Sequence, residues 1–236
     1  MSDPILITGL GQRVGLHLAR TFLERGIPVI GTYRTERPAL EELSAGGAAL
    51  HQCNFYDDAQ VEKLLTAITS RHERLRAIIH NASDWLPDTA ELPTAEIMNR
   101  MMKVHVSAPY RINLALEPLL RASSHPYADI IHIGDYVSSR GSRKHIAYAA
   151  SKAAQDNLTL SFAARFAPEI KVNSIAPALI LFNQGDDEAY REKALSKSLI
   201  QHEGGLDEFQ HTVNYLLESS YVTGRIIHMD GGRHLV

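Results

Sequence analysis

The sequence predicts one α/β domain: a Rossmann-type, doubly wound parallel sheet of about seven strands with helices on both faces. Three observations predict it. Seven short apolar, β-branched runs recur along the chain, longer amphipathic stretches separate them, and the first run ends in a glycine-rich turn that opens a helix. The 236 residues, 44% hydrophobic and 22% charged, suit one globular unit, so residues 1–236 are read as a single domain.

The strand candidates are Ile5–Thr8, Val29–Tyr33, Ala48–Cys53, Ala77–Asn81, Asp129–Ile133, Lys171–Ile175 and Ile226–Met229. They are apolar on both sides of the pleat, as strands covered on both faces must be. After the first, Val14, Leu18 and Phe22 fall on one helical stripe. After the third, Val61, Leu64, Leu65 and Ile68 follow the i, i+3, i+4, i+7 spacing. Thr94–Leu120 reads as one long or bent helix. The polar segment Leu179–Leu206, with Asp186, Asp187 and Glu188, reads as a helical excursion over a ligand site. Repeated strand–helix–strand units require parallel pairing.

Charge and composition exclude several classes. A net charge of -3, from 24 basic and 27 acidic residues, argues against nucleic acid as a partner. No apolar run reaches the roughly 18 residues that span a bilayer, so no membrane partner is expected. The start, MSDPILITG, lacks a basic region followed by an apolar stretch, and a cytoplasmic setting is expected. The single cysteine, Cys53, excludes an internal disulfide and reads as a small buried hydrophobe. No H-E-x-x-H is present. His80 and His132 fall on strands and read as core or strand-end residues, and no metal is expected. Arg71–Arg76 reads as a solvated helix end.

The turn Thr8-Gly9-Leu10-Gly11-Gln12-Arg13-Val14-Gly15 lies between a strand and a helix, the context in which glycines let backbone approach a pyrophosphate. Its spacing is T-G-x-x-x-R-x-G. A cation at Arg13 is disfavoured by the helix dipole unless it faces a phosphate. The second strand ends Gly31-Thr32-Tyr33-Arg34-Thr35, with no carboxylate before Glu36. An acid there would bind the ribose hydroxyl of NAD. Arg34 can instead pair with the 2′-phosphate and Thr35 can add a hydroxyl, so NADPH is the expected cofactor. Tyr148 and Lys152 stand at i and i+4, on one helix face. A cation there favours the phenolate and lowers the tyrosine pKa, which suits a proton donor.

Together with His80-Asn81-Ala82-Ser83, Asn173-Ser174-Ile175-Ala176-Pro177 and Gly224…Asp230-Gly231-Gly232, these motifs resemble the short-chain dehydrogenase/reductases, in order and over nearly the whole chain. The resemblance implies that Tyr148 protonates the product, that Lys152 holds the nicotinamide ribose, and that Pro177 and Leu179 lie on the nicotinamide side. The implied cofactor pocket takes in Gly9, Gln12, Arg13, Val14, Tyr33, Arg34, Thr35, Asn54, Asn81, Ala82, Ser83, Tyr148, Lys152 and Pro177. Two positions depart from the family pattern. His105 stands where the proton relay has a helix asparagine, and Asp135 stands where the catalytic serine lies 13 residues before the tyrosine.

Within the family, the T-G-x-x-x-R-x-G turn, Arg34, Asp135 and Trp85 look like the pteridine reductases. A carboxylate repels a developing alkoxide but suits an electron-poor ring with N–H donors. Asp135 could also simply cap its turn. Trp85, the only tryptophan, sits in a polar loop where its ring can stack on a pterin. The implied substrate set is Arg13, Trp85, Asp135, Tyr148 and Leu179. The segments HNASDW, MMKVHVSAPY, HIAYAASKAA, IKVNSIAPALILFN and DGGRHLV extend the resemblance. The implied reaction is NADPH-dependent reduction of a dihydropterin, foremost 7,8-dihydromonapterin to the tetrahydro form, with side activity on dihydrofolate. A carbonyl reductase of 3-oxoacyl type and a non-catalytic NADP sensor are the alternatives. A homo-oligomer, a tetramer, is expected, with Ala149, Ala150, Ala153 and Ala154 permitting close helix approach.

Overall fold

Alternation along the strands sorts their side chains onto the two faces of one sheet. The structure is a computed structural model that describes residues 2–236. Its strands are β1 Ile5–Ile7, β2 Val29–Tyr33, β3 Ala49–Gln52, β4 Ala77–His80, β5 Ala128–Ile133, β6 Ile170–Pro177 and β7 Ile226–Met229. All pair in parallel, in the order β3-β2-β1-β4-β5-β6-β7. Leu6, Ile30, Ile78, Ile130 and Val172 enter one core layer, under α3 (Asp58–Thr69), α5 (Ala108–Arg121) and α6 (Ile146–Phe166). Ile5, Ile7, Ile79, Ile131 and Ile175 enter the other, with α1 (Arg13–Glu24), α2 (Ala39–Ala45) and α8 (Leu206–Glu218). The strand order reverses between β1 and β4, and a doubly wound sheet opens its ligand crevice there, beyond the carboxyl ends of the strands.

Thr94–Leu120 is indeed one bent run. α4 (Thr94–Met102) passes through a π-helical turn, Lys103–Ser107, straight into α5. Within 179–206 the one helix is α7, Glu188–Leu195, capped by the Asp187 carboxylate on Tyr190 N. On the α1 stripe, Leu18 and Phe22 are buried, whereas Val14 is half-buried and turned to the crevice.

Arg71–Arg76 is not a solvated helix end. Helix α3 stops at Thr69, Leu75 is buried, and Arg76 runs under the sheet to Asp129, with Nη1–Oδ2 at 2.5 Å. Lys171 Nζ meets the other oxygen of Asp129 at 2.7 Å. Two cations thus meet one buried carboxylate, which burial alone would drive toward its neutral form.

Candidate active site

The site begins with a backbone cradle. Helix α1 starts at Arg13 without a side-chain cap, so its first N–H groups face the crevice unpaired by a capping residue. Gly9 has φ +70°, and a Cβ there would lie 2.8 Å from Ala82 Cα. A Cβ on Gly15 would lie 2.5 Å from Gly9 O. The turn therefore packs flush against the end of β4. Asn81 Nδ2 donates to Thr8 O and Gly9 O at 3.1 and 2.9 Å, and Ala82 N donates to Thr8 Oγ1 at 2.9 Å. Arg13 occupies the left-handed region at φ +51°, unusual for a side chain with a Cβ. Its guanidinium donates to Asn183 Oδ1 and Leu181 O, clasping the 179–206 excursion to the turn.

A cavity of about 500 Å³ runs from this cradle along the strand ends. It brings together Gly9, Gln12, Arg13, Val14, Tyr33, Arg34, Thr35, Asn54, Asn81, Ala82, Ser83, Trp85, Asp135, Tyr148, Lys152 and Pro177. Leu179 is not part of the lining; its carbonyl accepts from Gly204 N at the edge of the excursion. The volume, the glycine cradle and the uncapped helix start fit a dinucleotide.

The lining includes a group the sequence reading did not single out. Asp84 accepts from Arg34 Nη1 at 2.9 Å and from the Tyr56 hydroxyl, and its other oxygen accepts from Trp85 N at 2.9 Å. Burial and this carboxylate push the Tyr56 phenol up. Asp84 stood beside Trp85 in the sequence, but its partners lie 50 and 28 residues away. Trp85 is 61% exposed, so it belongs to no core. One face of its ring stacks on His145, with centroids 3.9 Å apart and planes 18° apart. His145 directly precedes α6 and had also been missed.

Tyr148, Asp135 and Lys152 line the same cavity. Tyr148 Oη donates to Asp135 Oδ2 at 2.7 Å, while Asp135 Oδ1 accepts from Val137 N at 2.9 Å. Asp135 thus both caps its turn and binds the phenol. Burial raises its pKa against the pull of the Val137, Tyr148 and Lys152 donors. Burial and the Asp135 carboxylate hold Tyr148 well above the usual phenol range. The expectation that Lys152 lowers it is therefore corrected. The Lys152 ammonium donates to Ile133 O and Gln155 Oε1, and burial brings its own pKa down to about 8. A phenol that donates to a carboxylate is stabilised as the neutral acid.

His105 turns inward at the π-helical turn and is fully buried. Ser151 Oγ donates to Tyr148 O, so it accepts from His105 Nδ1 at 2.8 Å. His105 Nε2 then accepts from Ser83 Oγ, also at 2.8 Å. Burial holds this imidazole neutral. It orients Ser83 and lies edge-on to the Tyr148 ring, at 5.4 Å, and its hydrogen bonds run to the two serines rather than to Lys152.

Fold, glycine turn and tyrosine–lysine helix define an oxidoreductase class, and the chain belongs to the short-chain dehydrogenase/reductases; residues 9–234 match the family model described as enoyl-(acyl carrier protein) reductase. Dihydromonapterin reductase of Klebsiella pneumoniae is 55% identical over 232 residues, spanning 98% of this chain and 97% of that protein. The crystal structure of the FolM alternative dihydrofolate reductase from Brucella canis, complexed with NADP, superposes with a TM-score of 0.87. It is 27% identical and covers 99% of this chain and 94% of its own. The RhlG–NADP complex of Pseudomonas aeruginosa superposes with a TM-score of 0.87 at 26% identity, over 98% of this chain and 96% of its own.

Proposed function

We propose that this protein reduces a dihydropterin with NADPH, foremost 7,8-dihydromonapterin to its tetrahydro form, and dihydrofolate as a secondary substrate. The observation that carries the reading is the buried Tyr148–Asp135 hydrogen bond in a crevice that Trp85 also lines. The 55% identity to a dihydromonapterin reductase supports the same substrate. Bound NADPH supplies the hydride, to C6 of the pterin. Gly9, Gln12, Val14, Asn81 and Ala82 receive its pyrophosphate and ribose, Tyr33, Arg34, Thr35, Asn54 and Ser83 its adenosine end, and Lys152 and Pro177 its nicotinamide end. Tyr148 gives its hydroxyl proton to N5, and the Asp135 carboxylate, whose proton affinity burial raises, relays a solvent proton back to the phenolate. Arg13 borders the pterin, and Trp85 covers one ring face.

The family description names an enoyl thioester, and a carbonyl reductase was the alternative in the sequence. A carboxylate at Asp135 opposes both, because a developing enolate or alkoxide would meet a negative charge rather than a neutral donor. An intact proton donor at Tyr148 opposes a purely sensing role. The deciding assay follows NADPH oxidation with dihydromonapterin, dihydrofolate, dihydrobiopterin, an enoyl thioester and a panel of ketones. Turnover on pterins that falls about 10²–10⁴-fold in Tyr148→Phe, with NADPH binding intact, is the expected result. Preference for thioester or ketone overturns the assignment.

A cytoplasmic location and a homotetramer belong to the same proposal. In support, no described helix is long and apolar enough to cross a membrane, and α5 and α6 leave Tyr110, Ile146 and Leu160 exposed.

A further inference from the structure

At the far edge of the sheet, three residues with no part in the reaction converge. His228 lies exposed near the end of β7, Asp230 is buried just past that end, and His234 lies on the short 3-10 turn Arg233–Leu235. One ligand atom from each lies within 4.8 Å of the others.

We propose that His228 and His234, the latter oriented by the Asp230 carboxylate, form a binding site for a divalent transition-metal ion of the zinc class. The hydrogen bonds carry the argument. Asp230 Oδ2 accepts from the backbone N of His234 at 2.9 Å and lies 2.7 Å from its Nδ1. Oδ1 accepts from Gly232 N at 3.0 Å. A carboxylate that takes the Nδ1 proton fixes the tautomer and leaves the Nε2 lone pair outward. This is the carboxylate–histidine arrangement that prepares an imidazole for a metal. The His228 ring faces it, with centroids 5.0 Å apart and planes 33° apart. Tetrahedral zinc, with bonds of about 2.0–2.1 Å, needs its ligand atoms about 3.3 Å apart. Rotation about the side-chain bonds of two exposed imidazoles closes the remaining gap. Imidazole nitrogens select zinc, nickel or copper over magnesium and calcium, which prefer oxygen.

Neighbouring cations do not compete for the same atoms. Arg233 lies over the Tyr136 ring at 4.7 Å, and Arg140 donates to the carbonyls of Arg233 and Val236. The ion would therefore pin the C-terminal turn to β7. Through Arg233 on Tyr136, it would also brace the loop that begins at Asp135.

Isothermal titration with zinc ions, on protein freed of any affinity tag, tests the site. Cobalt ions substituted for zinc give visible absorption that reports coordination number. The expected result is one equivalent bound, a raised melting temperature with metal, and tetrahedral cobalt bands. His228→Ala and His234→Ala should each weaken binding at least about tenfold, the scale of lost ligand or supporting contacts. His211→Ala, an exposed histidine on α8, should bind as the parent does. Both ligand variants replace exposed side chains, and their melting temperatures without metal should match the parent. No zinc uptake by the parent overturns the proposal, and so does undiminished uptake by both ligand variants.

Discussion

Replacing Asp135 by asparagine separates its two hydrogen bonds. The side-chain oxygen can still accept from Val137 N, now at 2.9 Å, so the turn should survive. The second oxygen, which receives the Tyr148 proton at 2.7 Å, becomes an amide that cannot hold or return that proton. Losing a proton-transfer group costs about 10²–10⁴ in rate, or about 3–5 kcal/mol in barrier. Dihydropterin turnover should fall by that factor while NADPH affinity holds. The pH profile should change too. In the parent, the rate falls as pH rises through the apparent pKa of the Tyr148–Asp135 pair, and the variant should lose that limb. Stability should move the opposite way. The folded-state pKa of Asp135 is raised, so the fold prefers its neutral form. Its ionisation costs stability as pH climbs above the unfolded value near about 4, and the cost is complete above the folded-state pKa. Asp135→Asn carries no charge, so its melting temperature should exceed the parent's at neutral pH and match it in acid. Steady-state kinetics and thermal melts across pH measure both effects. Parent-like turnover, or a neutral-pH melting temperature below the parent's, would refute the reasoning.

Trp85→Ala should weaken pterin binding about 3–10-fold, the worth of one aromatic stack, with NADPH affinity retained. As the only tryptophan, Trp85 should also lose fluorescence on pterin binding in the parent. Arg34→Glu replaces the cation opposite the 2′-phosphate with an anion, and comparing kcat/KM for NADPH and NADH should show the preference reversed. Gly9→Ala forces a Cβ to 2.8 Å from Ala82 Cα at φ +70°, which should cost about 1–3 kcal/mol in a denaturant melt and abolish cofactor binding.

The sheet was legible because burial on both faces leaves its mark on composition: β2 and β7 begin and end where the apolar runs do. Most proposed site residues also line one crevice, since a strand–turn–helix unit fixes its own ligand face. What escaped depended on tertiary partners. Helical spacing places Lys152 on the Tyr148 face, but the lysine side chain runs on to Ile133 O, so its charge does not set the phenol. Nothing local marks Arg76 for the Asp129 carboxylate 53 residues away. Asp84 was visible as a loop acid, but its bonds to Arg34 and Tyr56 exist only once β2, β3 and β4 are gathered into one sheet.

The π-helical turn at Lys103–Ser107 makes chain length itself a fixed quantity at that point. Each residue added or removed from a helix rotates everything beyond it by about 100°. Deleting one residue from 103–107 would restore regular winding. A deletion not absorbed this way would swing Ala108, Ile112 and Leu116 out of the layer they share with Leu6 and Ile130, and either outcome carries His105 off the Ser83–Ser151 line. Insertions and deletions should therefore be rejected across this stretch, whatever residues are used, yet tolerated around Gly185, where an added Cβ meets nothing within 4 Å. A library of single-codon deletions scanned along the gene would show that contrast as a sharp gap in survivors.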